Sequence, residues 1–584
     1  MTVCEIEAPE VQPVGGQDGT GRSWLHSRWV QPCAFTGLGV LLFVGYLAEA
    51  SKLPIFADGS SQALQAWDML HGNLLLHGWV LSDVSFYTTE LPQYMLIELV
   101  RGLKPDVVHI AAAMTYALLI VLSAVLAKGK ATGREALVRV IITVGIMFAP
   151  PIGRILYSRA GSPAWVLLSA PDHTGTQVPL VLLWLMLDKL CLPGWRVAGV
   201  VGGTPRNLPQ LKWWLPVAVA VLLVWVEIAD STAIYEGALP IVLVCLVRMY
   251  RRRGSLAGQR YDLTMATGAL ASVGVTTVAL ILIRSLGGFV VNPASPRLIS
   301  VDGMTATFWV KVHAILVLFG ADFFGISAGS AVIPVAHLVA VVLVVWGVVR
   351  AVRLVLATDD LAMQVVTASF LVLLAAFVFG YRTGAREAVG LLPIGAVLAG
   401  RMLATRVFEL KLVPALTAVL AVYWLSLAVT DSQPALPSPD RPLAAWLAAH
   451  HLTYGLSTTW FSSNGVTLYS QDQVKVRDVS RAADGSLVRE RWNTKDSWYN
   501  PRSHDATFAV VNPCTTTLAA RLFAVEGQPS AIYHVDGFTV IVWRHTNLLA
   551  SHPKQQAATS AQRGDSGGLP PESAPSAAHM LMCG

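Results

Sequence analysis

The sequence has little charge. Of 584 residues only 13% are Asp, Glu, Lys or Arg, while 54% are hydrophobic. A soluble globular chain carries about 25% charged residues. The deficit excludes a soluble cytosolic enzyme and a disordered chain, and the mean hydropathy of +0.55 agrees. The net charge is +6, yet nucleic-acid partners are excluded too, because such binders cluster basic residues on one face. Here Lys and Arg sit in short loops between apolar runs. Cysteine is scarce. Cys4, Cys33, Cys191, Cys245, Cys514 and Cys583 form no CxxC pair, so no zinc or redox motif is present. Cys191 and Cys245 lie at or within apolar segments, where cysteine acts as a small buried hydrophobe. No GxxxxGK[ST] loop occurs, so the chain has no ATPase motif of its own. No internal half-repeat is visible, and the apolar segments lack paired Gly/Pro breaks, against the inverted-repeat transporters.

What is present is a series of long apolar runs. A helix needs about 20 apolar residues to cross the hydrocarbon core. Segments 32–50, 107–127, 135–150, 178–193, 213–229, 236–250, 263–284, 331–349, 363–380, 388–404 and 412–430 meet that need or approach it. The segment 305–325 is also apolar but holds Lys311, His313 and Asp322, so an interfacial or re-entrant helix is expected there. The fold class is an all-α polytopic membrane protein with about eleven transmembrane helices. Arg is more frequent than Lys, a usage compatible with a high-GC genome such as an actinobacterium's.

Orientation follows from the loop charges. One set of loops holds Lys128, Lys130, Arg134 and Arg139; Arg196, Arg206 and Lys212; Arg248, Arg251, Arg252, Arg253 and Arg260; Arg350 and Arg353; and Arg401, Arg406 and Lys411. The opposite set is longer and more sparsely basic. The dense set therefore faces the cytoplasm. The N-terminus is then inside, the region after 431 outside, and the protein lies in the plasma membrane. Residues 1–31 are expected to be a cytoplasmic tail, since they show no signal-peptide pattern. After a Pro-rich linker at 431–440, residues 441–550 read as a small α+β extracytoplasmic domain. Its elements are a helix at Leu443–His451 and strands at Val466–Tyr469, Val474–Val479, Ala506–Val511, Ala531–His534 and Phe538–Arg544. Residues 551–584 are rich in Ser, Ala, Gln, Gly and Pro and are expected to be disordered.

The candidate chemistry lies on the outer side. The first outer loop, 51–106, opens with Ile55-Phe-Ala-Asp58-Gly and continues through Asp68, His71, His77, Asp83, Tyr87 and Glu90. A carboxylate just beyond a membrane span sits at the headgroup boundary, where partial burial raises its pKa and suits it to act as a base. The plain alternative is that Asp58-Gly59 forms a turn. A second outer loop holds Arg154, Tyr157 and Arg159, then Ser169-Ala-Pro-Asp172-His173-Thr-Gly-Thr-Gln177. Polar groups at a helix mouth line a wet cleft, or Asp172 or Thr174 caps the helix. Glu227, Asp230, Tyr235 and Glu236 flank a very short outer loop. Arg382 and Arg386 run against the charge asymmetry; their forks suit a lipid phosphate, or they snorkel to headgroups. Trp79, Trp213, Trp214, Trp309 and Trp424 read as interfacial anchors.

This layout is similar to the GT-C superfamily of membrane glycosyltransferases, which use polyprenyl-phosphate sugars as donors. The resemblance covers most of 30–550 as architecture: a long first outer loop opening with Asp, a polar second outer loop and a soluble domain after the last span. It implies a GT-C-like helical core, an amphipathic first outer loop and inverting transfer at the outer face. It makes Asp58 the catalytic carboxylate and Asp172 with His173 the second-loop site. Asp83, Glu90, Arg154, Tyr157, Arg159, Arg382 and Arg386 become candidate substrate-binding residues. The partners implied are a polyprenyl-phosphate sugar donor, a glycan, lipid or protein acceptor, and membrane lipids. Here Asp58 precedes Gly59 instead of a second acid, and the second site is Asp-His rather than diacidic. A divalent metal, if any, would fall to Asp58 and Asp172. The outer domain lacks a WWDYG-like signature, which sets the chain apart from the oligosaccharyltransferase branch. The competing readings are an envelope lipid or polysaccharide transporter or flippase, with functional groups at mid-membrane depth, and a non-catalytic membrane scaffold.

Overall fold

The computed structural model describes residues 30–150, 162–190, 214–251, 256–292, 297–355, 357–358, 360–430, 434–481, 487–511 and 526–550. The expected tails at 1–31 and 551–584 therefore lie outside the described residues, apart from the first helical turn. The apolar runs form helices. They are α1 (Val30–Ala50), α2 (Ala57–Leu70), α3 (Glu90–Arg101), α4 (Asp106–Lys128), α5 (Gly133–Met147), α6 (Pro163–Leu168) and α7 (Asp172–Leu190). Next come α8 (Leu215–Ala229), α9 (Leu239–Arg251), α10 (Leu256–Ser285), α11 (Val301–Leu318), α12 (Ala328–Val355), α13 (Leu361–Phe379), α14 (Leu391–Glu409) and α15 (Val413–Thr430). Among the described residues, 7 helices are long and apolar enough to cross a membrane. Six of them match expected spans; the seventh is α11. Within the segment expected to be an interfacial or re-entrant helix, α11 runs without a break to Leu318. Lys311 does not break it, because its Nζ donates to the Val378 carbonyl at 2.8 Å and also to that of Gly380. Of the remaining expected spans, those at 213–229 and 412–430 are the shorter apolar helices α8 and α15, while the one at 178–193 falls in the 19-residue α7, which contains Pro179.

The bundle core is contiguous: α1 packs on α4, α4 on α7, α14 on α5 and α12, and α10 on α8 and α9. Cys245 is buried in it, as a small hydrophobe should be. Between α8 and α9 the chain makes a π-helical turn, Ile234–Ala238. Such turns are rare and recur at functional sites.

The region after α15 is built on a six-stranded sheet of order β5-β4-β3-β7-β9-β8. Its strands are β3 (Tyr454–Ser457), β4 (Lys475–Arg481), β5 (Leu487–Arg489), β7 (Phe508–Val511), β8 (Ala531–Val535) and β9 (Phe538–Val542). Along β7, Phe508 and Val510 enter one apolar layer while Ala509 and Val511 enter the other. Period-two alternation with both faces covered explains its unbroken apolar run. Helices α16 (Asp440–Ala449) and α17 (Trp460–Tyr469) complete the domain. The strand expected at Val466–Tyr469 is therefore wrong. Local β-propensity loses because α17 lies between two layers: Val466 packs with the sheet and Leu468 with the segment 51–106.

A second, three-stranded sheet ties the parts together in the order β2-β1-β6. Strand β1 (Trp79–Leu81) lies between α2 and α3, β2 (Val290–Val291) follows α10, and β6 (Thr494–Lys495) belongs to the region after α15. Around it, Lys495 and the Trp79 indole both reach Asp68, at 2.9 and 2.7 Å. Asn464 donates to Ser61 of α2 at 2.9 Å. Trp79 is fully buried in this clamp, which corrects its reading as an interfacial anchor. Trp309 is 63% exposed, as an anchor would be, and Trp213 lies outside the described residues. Helix α2 is thus held between the sheet-bearing C-terminal region and the bundle.

Candidate active site

The N-terminus of α2 points at the mouth of α7. Asp58 sits in the first turn of α2, so Asp58-Gly59 begins a helix and is not a turn. The glycine is needed for proximity. A Cβ at position 59 would stand 2.6 Å from the Val108 Cγ1 of α4 and 3.2 Å from the Ala170 Cβ. Gly59→Ala must push α2 off α4 and move Asp58 with it. We expect lower thermal stability and reduced function together, with unfolding temperature and activity measured on the same preparation. A variant with wild-type behaviour in both would mean that the contact is not tight.

Asp172 opens α7 at a left-handed φ of 37°. Asp and Asn tolerate this region better than other side chains with a Cβ. Gln62 of α2 donates to Asp172 Oδ1 at 2.9 Å. Between the two carboxylates stands Arg386, from the short 3-10 helix Ala385–Ala388 ahead of α14. Its Nη1 lies 3.0 Å from Asp58 Oδ2 and 3.0 Å from Asp172 Oδ2. Its Nη2 donates to Ser169 Oγ at 3.2 Å, and its Cζ lies 4.8 Å from the centre of the Phe56 ring.

A second ionic group adjoins the first. Arg382 binds Asp83 directly and Glu387 at 2.8 Å. Glu387 faces His173, Oε2 to Nε2 at 4.0 Å. The other ring nitrogen, Nδ1, lies 2.6 Å from Asp230 Oδ2. Asp230 also accepts from Thr176 Oγ1 and the Thr232 N–H, each at 2.8 Å. Five carboxylates and three cations therefore meet where the segment 51–106, α7, the α8–π-turn junction and the loop before α14 converge.

The protonation states follow from these neighbours. Burial pushes the Asp58 carboxyl up to about 6, and Asp172 adds to the rise while Arg386 opposes it. Burial alone would depress His173, but the adjoining Asp230 carboxylate outweighs it and holds the imidazole up to about 10. Burial would raise Asp230, yet the charged His173 keeps it below the usual carboxylate range. At neutral pH the pair is imidazolium and carboxylate. Glu90 is buried at the start of α3, with Oε1 facing Gly175 of α7. Burial raises its carboxyl well above the ordinary value, and it stands behind the site rather than open in it.

Of the expected site residues, Asp58, Asp83, Asp172, His173, Arg382 and Arg386 come together, and Glu90 backs them. Arg154, Tyr157 and Arg159 lie outside the described residues. Asp68, His71 and His77 do not join: Asp68 serves the clamp, His71 contacts the Trp67 carbonyl and His77 the Gly287 carbonyl. Glu236 pairs instead with Gln177 at 2.7 Å, and Glu227 with Ser272 and Thr276. Glu387 was not singled out by sequence reasoning; a lone acid directly after Arg386 reads as mere charge compensation. A divalent ion shared by Asp58 and Asp172 does not fit this arrangement, because Arg386 Nη1 takes the position between them. Among the described residues no group of three His, Cys, Asp or Glu could hold a metal ion.

Fold and site together define a polytopic membrane protein with an ionic cluster at one end of its helical bundle. No protein-family model matches this chain, and no curated protein matches it in sequence. Among solved structures the chain is similar to ArnT from Cupriavidus metallidurans bound to undecaprenyl phosphate. The TM-score is 0.54 at 12% identity, over 90% of this chain and 99% of that one. Lower scores are found with apo ArnT (0.40, 13% identity, 90% and 99% covered). They are also found with an Archaeoglobus fulgidus oligosaccharyltransferase tethered to an acceptor peptide (0.45, 10% identity, 85% and 71% covered). The first of these likenesses supports a shared fold and, at this identity, nothing finer.

Proposed function

We propose that this protein is a membrane glycosyltransferase. It moves a sugar from a polyprenyl-phosphate donor to an envelope acceptor (glycan, lipid or protein) at the extracytoplasmic face, with inversion and with Asp58 as base. The observation that carries the proposal is the convergence of Asp58 and Asp172 on one guanidinium, from loops more than a hundred residues apart. The ArnT structure named above holds undecaprenyl phosphate in a similar fold. This supports a lipid-borne phosphate as ligand.

The chemistry follows from the charges. The prenyl tail of the donor stays in lipid and its phosphate lies at the boundary. Arg386 and Arg382, with the cationic His173, face that phosphate and stabilise it as the glycosidic bond breaks. Asp58 accepts the proton of the acceptor hydroxyl as its oxygen attacks the anomeric carbon from the opposite side. The phosphate leaves with the bonding electrons, so neither a nucleotide nor a strong acid is required. A phosphate that engages Arg386 competes with Asp58 for it. A base paired with a cation is weakened, so this exchange strengthens Asp58 when the donor is in place.

The test uses membranes containing the full chain and a pool of labelled polyprenyl-phosphate sugars. Transfer of label to an endogenous acceptor, absent from membranes without the chain, is expected. No transfer from any donor in the pool would overturn the proposal.

A further inference from the structure

At the far end of α14 from Arg386 lies a different kind of site. Arg386 precedes α14 and Arg406 lies in its last turn. Twenty residues at about 1.5 Å rise place them roughly 30 Å apart. There the C-terminal turns of α12 and α14 flank an open concavity of about 540 Å³ lined by Trp346, Arg350, Arg353, Arg406, Glu409 and Leu410. Ligand cavities commonly fall between about 300 and 1,000 Å³.

The charges are unbalanced. Arg406 pairs with Glu409 at 2.8 Å. Among the described residues, Arg350 and Arg353 have no carboxylate within ion-pair distance. Two guanidiniums without a carboxylate partner among the described residues attract an anion with oxygen acceptors in a fork geometry, such as a phosphate or a carboxylate. Helix C-termini favour cations, but that alone does not require a concavity between them.

The apolar surroundings decide which anion. A stripe on α12 at helical spacing, Val335, Val339, Val342, Trp346 and Val349, is exposed by 47%, 58%, 62%, 41% and 44%. It runs along the helix and ends at the concavity, with the Trp346 ring at the level of the arginines. A free anion has no use for this stripe, whereas an acyl chain does. The loop charges place this end at the cytoplasmic leaflet.

We propose that the concavity between the ends of α12 and α14 binds the phosphate headgroup of an anionic phospholipid, whose acyl chain lies along the Val335–Val349 stripe. The proposal is independent of glycosyl transfer, since no residue of the ionic cluster takes part.

The test is to exchange lipid between the purified full chain and phosphatidylcholine vesicles doped with phosphatidylglycerol, then count the lipid retained per chain. Wild type should retain phosphatidylglycerol in preference to phosphatidylcholine. The double variant Arg350→Ala, Arg353→Ala should lose retention on the order of tenfold. The double variant Arg350→Lys, Arg353→Lys keeps both charges and should lose far less. Equal retention of the two lipids by wild type would overturn the proposal, as would an unchanged Ala double variant. Displacement of the lipid by millimolar inorganic phosphate would assign the concavity to free phosphate instead. The Lys variant and unfolding temperatures separate loss of the site from loss of the fold.

Discussion

Replacing Asp58 by Asn should reduce sugar transfer by about 10²- to 10⁴-fold, the range of a lost general base. Asn keeps the size of the side chain and its place in the first turn of α2, so the protein should insert and accumulate normally. The pH profile supplies a separate mark. The wild-type carboxyl titrates at about 6 because it is buried beside Asp172. Only the ionised form accepts a proton, so kcat/KM for the donor, which reports the free enzyme, should climb as pH rises through about 6 and level off above it. The cationic His173, held up to about 10 by Asp230, should remain charged across that plateau. The rising limb belongs to Asp58 and should vanish from the residual activity of Asp58→Asn. A variant that transfers sugar at the wild-type rate would remove Asp58 from the chemistry. A lost rate with an unchanged rising limb would place the base elsewhere in the cluster. Asp172→Asn is the matching control: Asn tolerates the left-handed φ of 37°, so this variant removes charge with little backbone strain.

Much of the membrane architecture was legible because long apolar runs allow few other structures. In segment 305–325 Lys311 and Asp322 interrupt the apolar pattern, yet α11 runs unbroken to Leu318; the lysine finds backbone carbonyls at the α13 end, which no local pattern reveals. Val466–Tyr469 misled for a similar reason, since a helix sandwiched between two layers buries both its faces and loses the periodicity that marks amphipathic helices. The clamp β2-β1-β6 was invisible: strands of two or three residues drawn from 79, 290 and 494 carry no pattern of their own. At the site, Asp58, Asp172 and the two arginines were legible one by one, from position beside a span or from charge on the unexpected side. Their partnership was not. Asp58 and Arg386 are 328 residues apart, and His173 and Asp230 are 57 apart. Such pairings come from bundle packing.

Arg386 should prove as important as Asp58, and in a distinguishable way. Arg386→Gln removes a cation from the path of the departing phosphate. Losses of comparable preorganised groups run to about 10²- to 10³-fold in rate. It also removes the group that lowers the Asp58 pKa, while burial and Asp172 continue to raise it. The rising limb of the pH profile should therefore move above 6, so that raising the pH recovers part of the lost rate. Arg386→Lys restores the charge without the fork, and its midpoint should return toward the wild-type value while its rate stays intermediate. Arg382→Gln provides the contrast. Arg382 is held by Asp83 and Glu387 and does not touch Asp58, so its loss should weaken donor binding with little movement of the midpoint. If Arg386→Gln lowered the rate without moving the midpoint, the guanidinium would be a phosphate ligand that does not govern the base. If it moved neither, the bridge between Asp58 and Asp172 would be structural only. A shift together with a lost rate would mean that one side chain serves both carboxylate and phosphate, and that donor arrival is what releases the base.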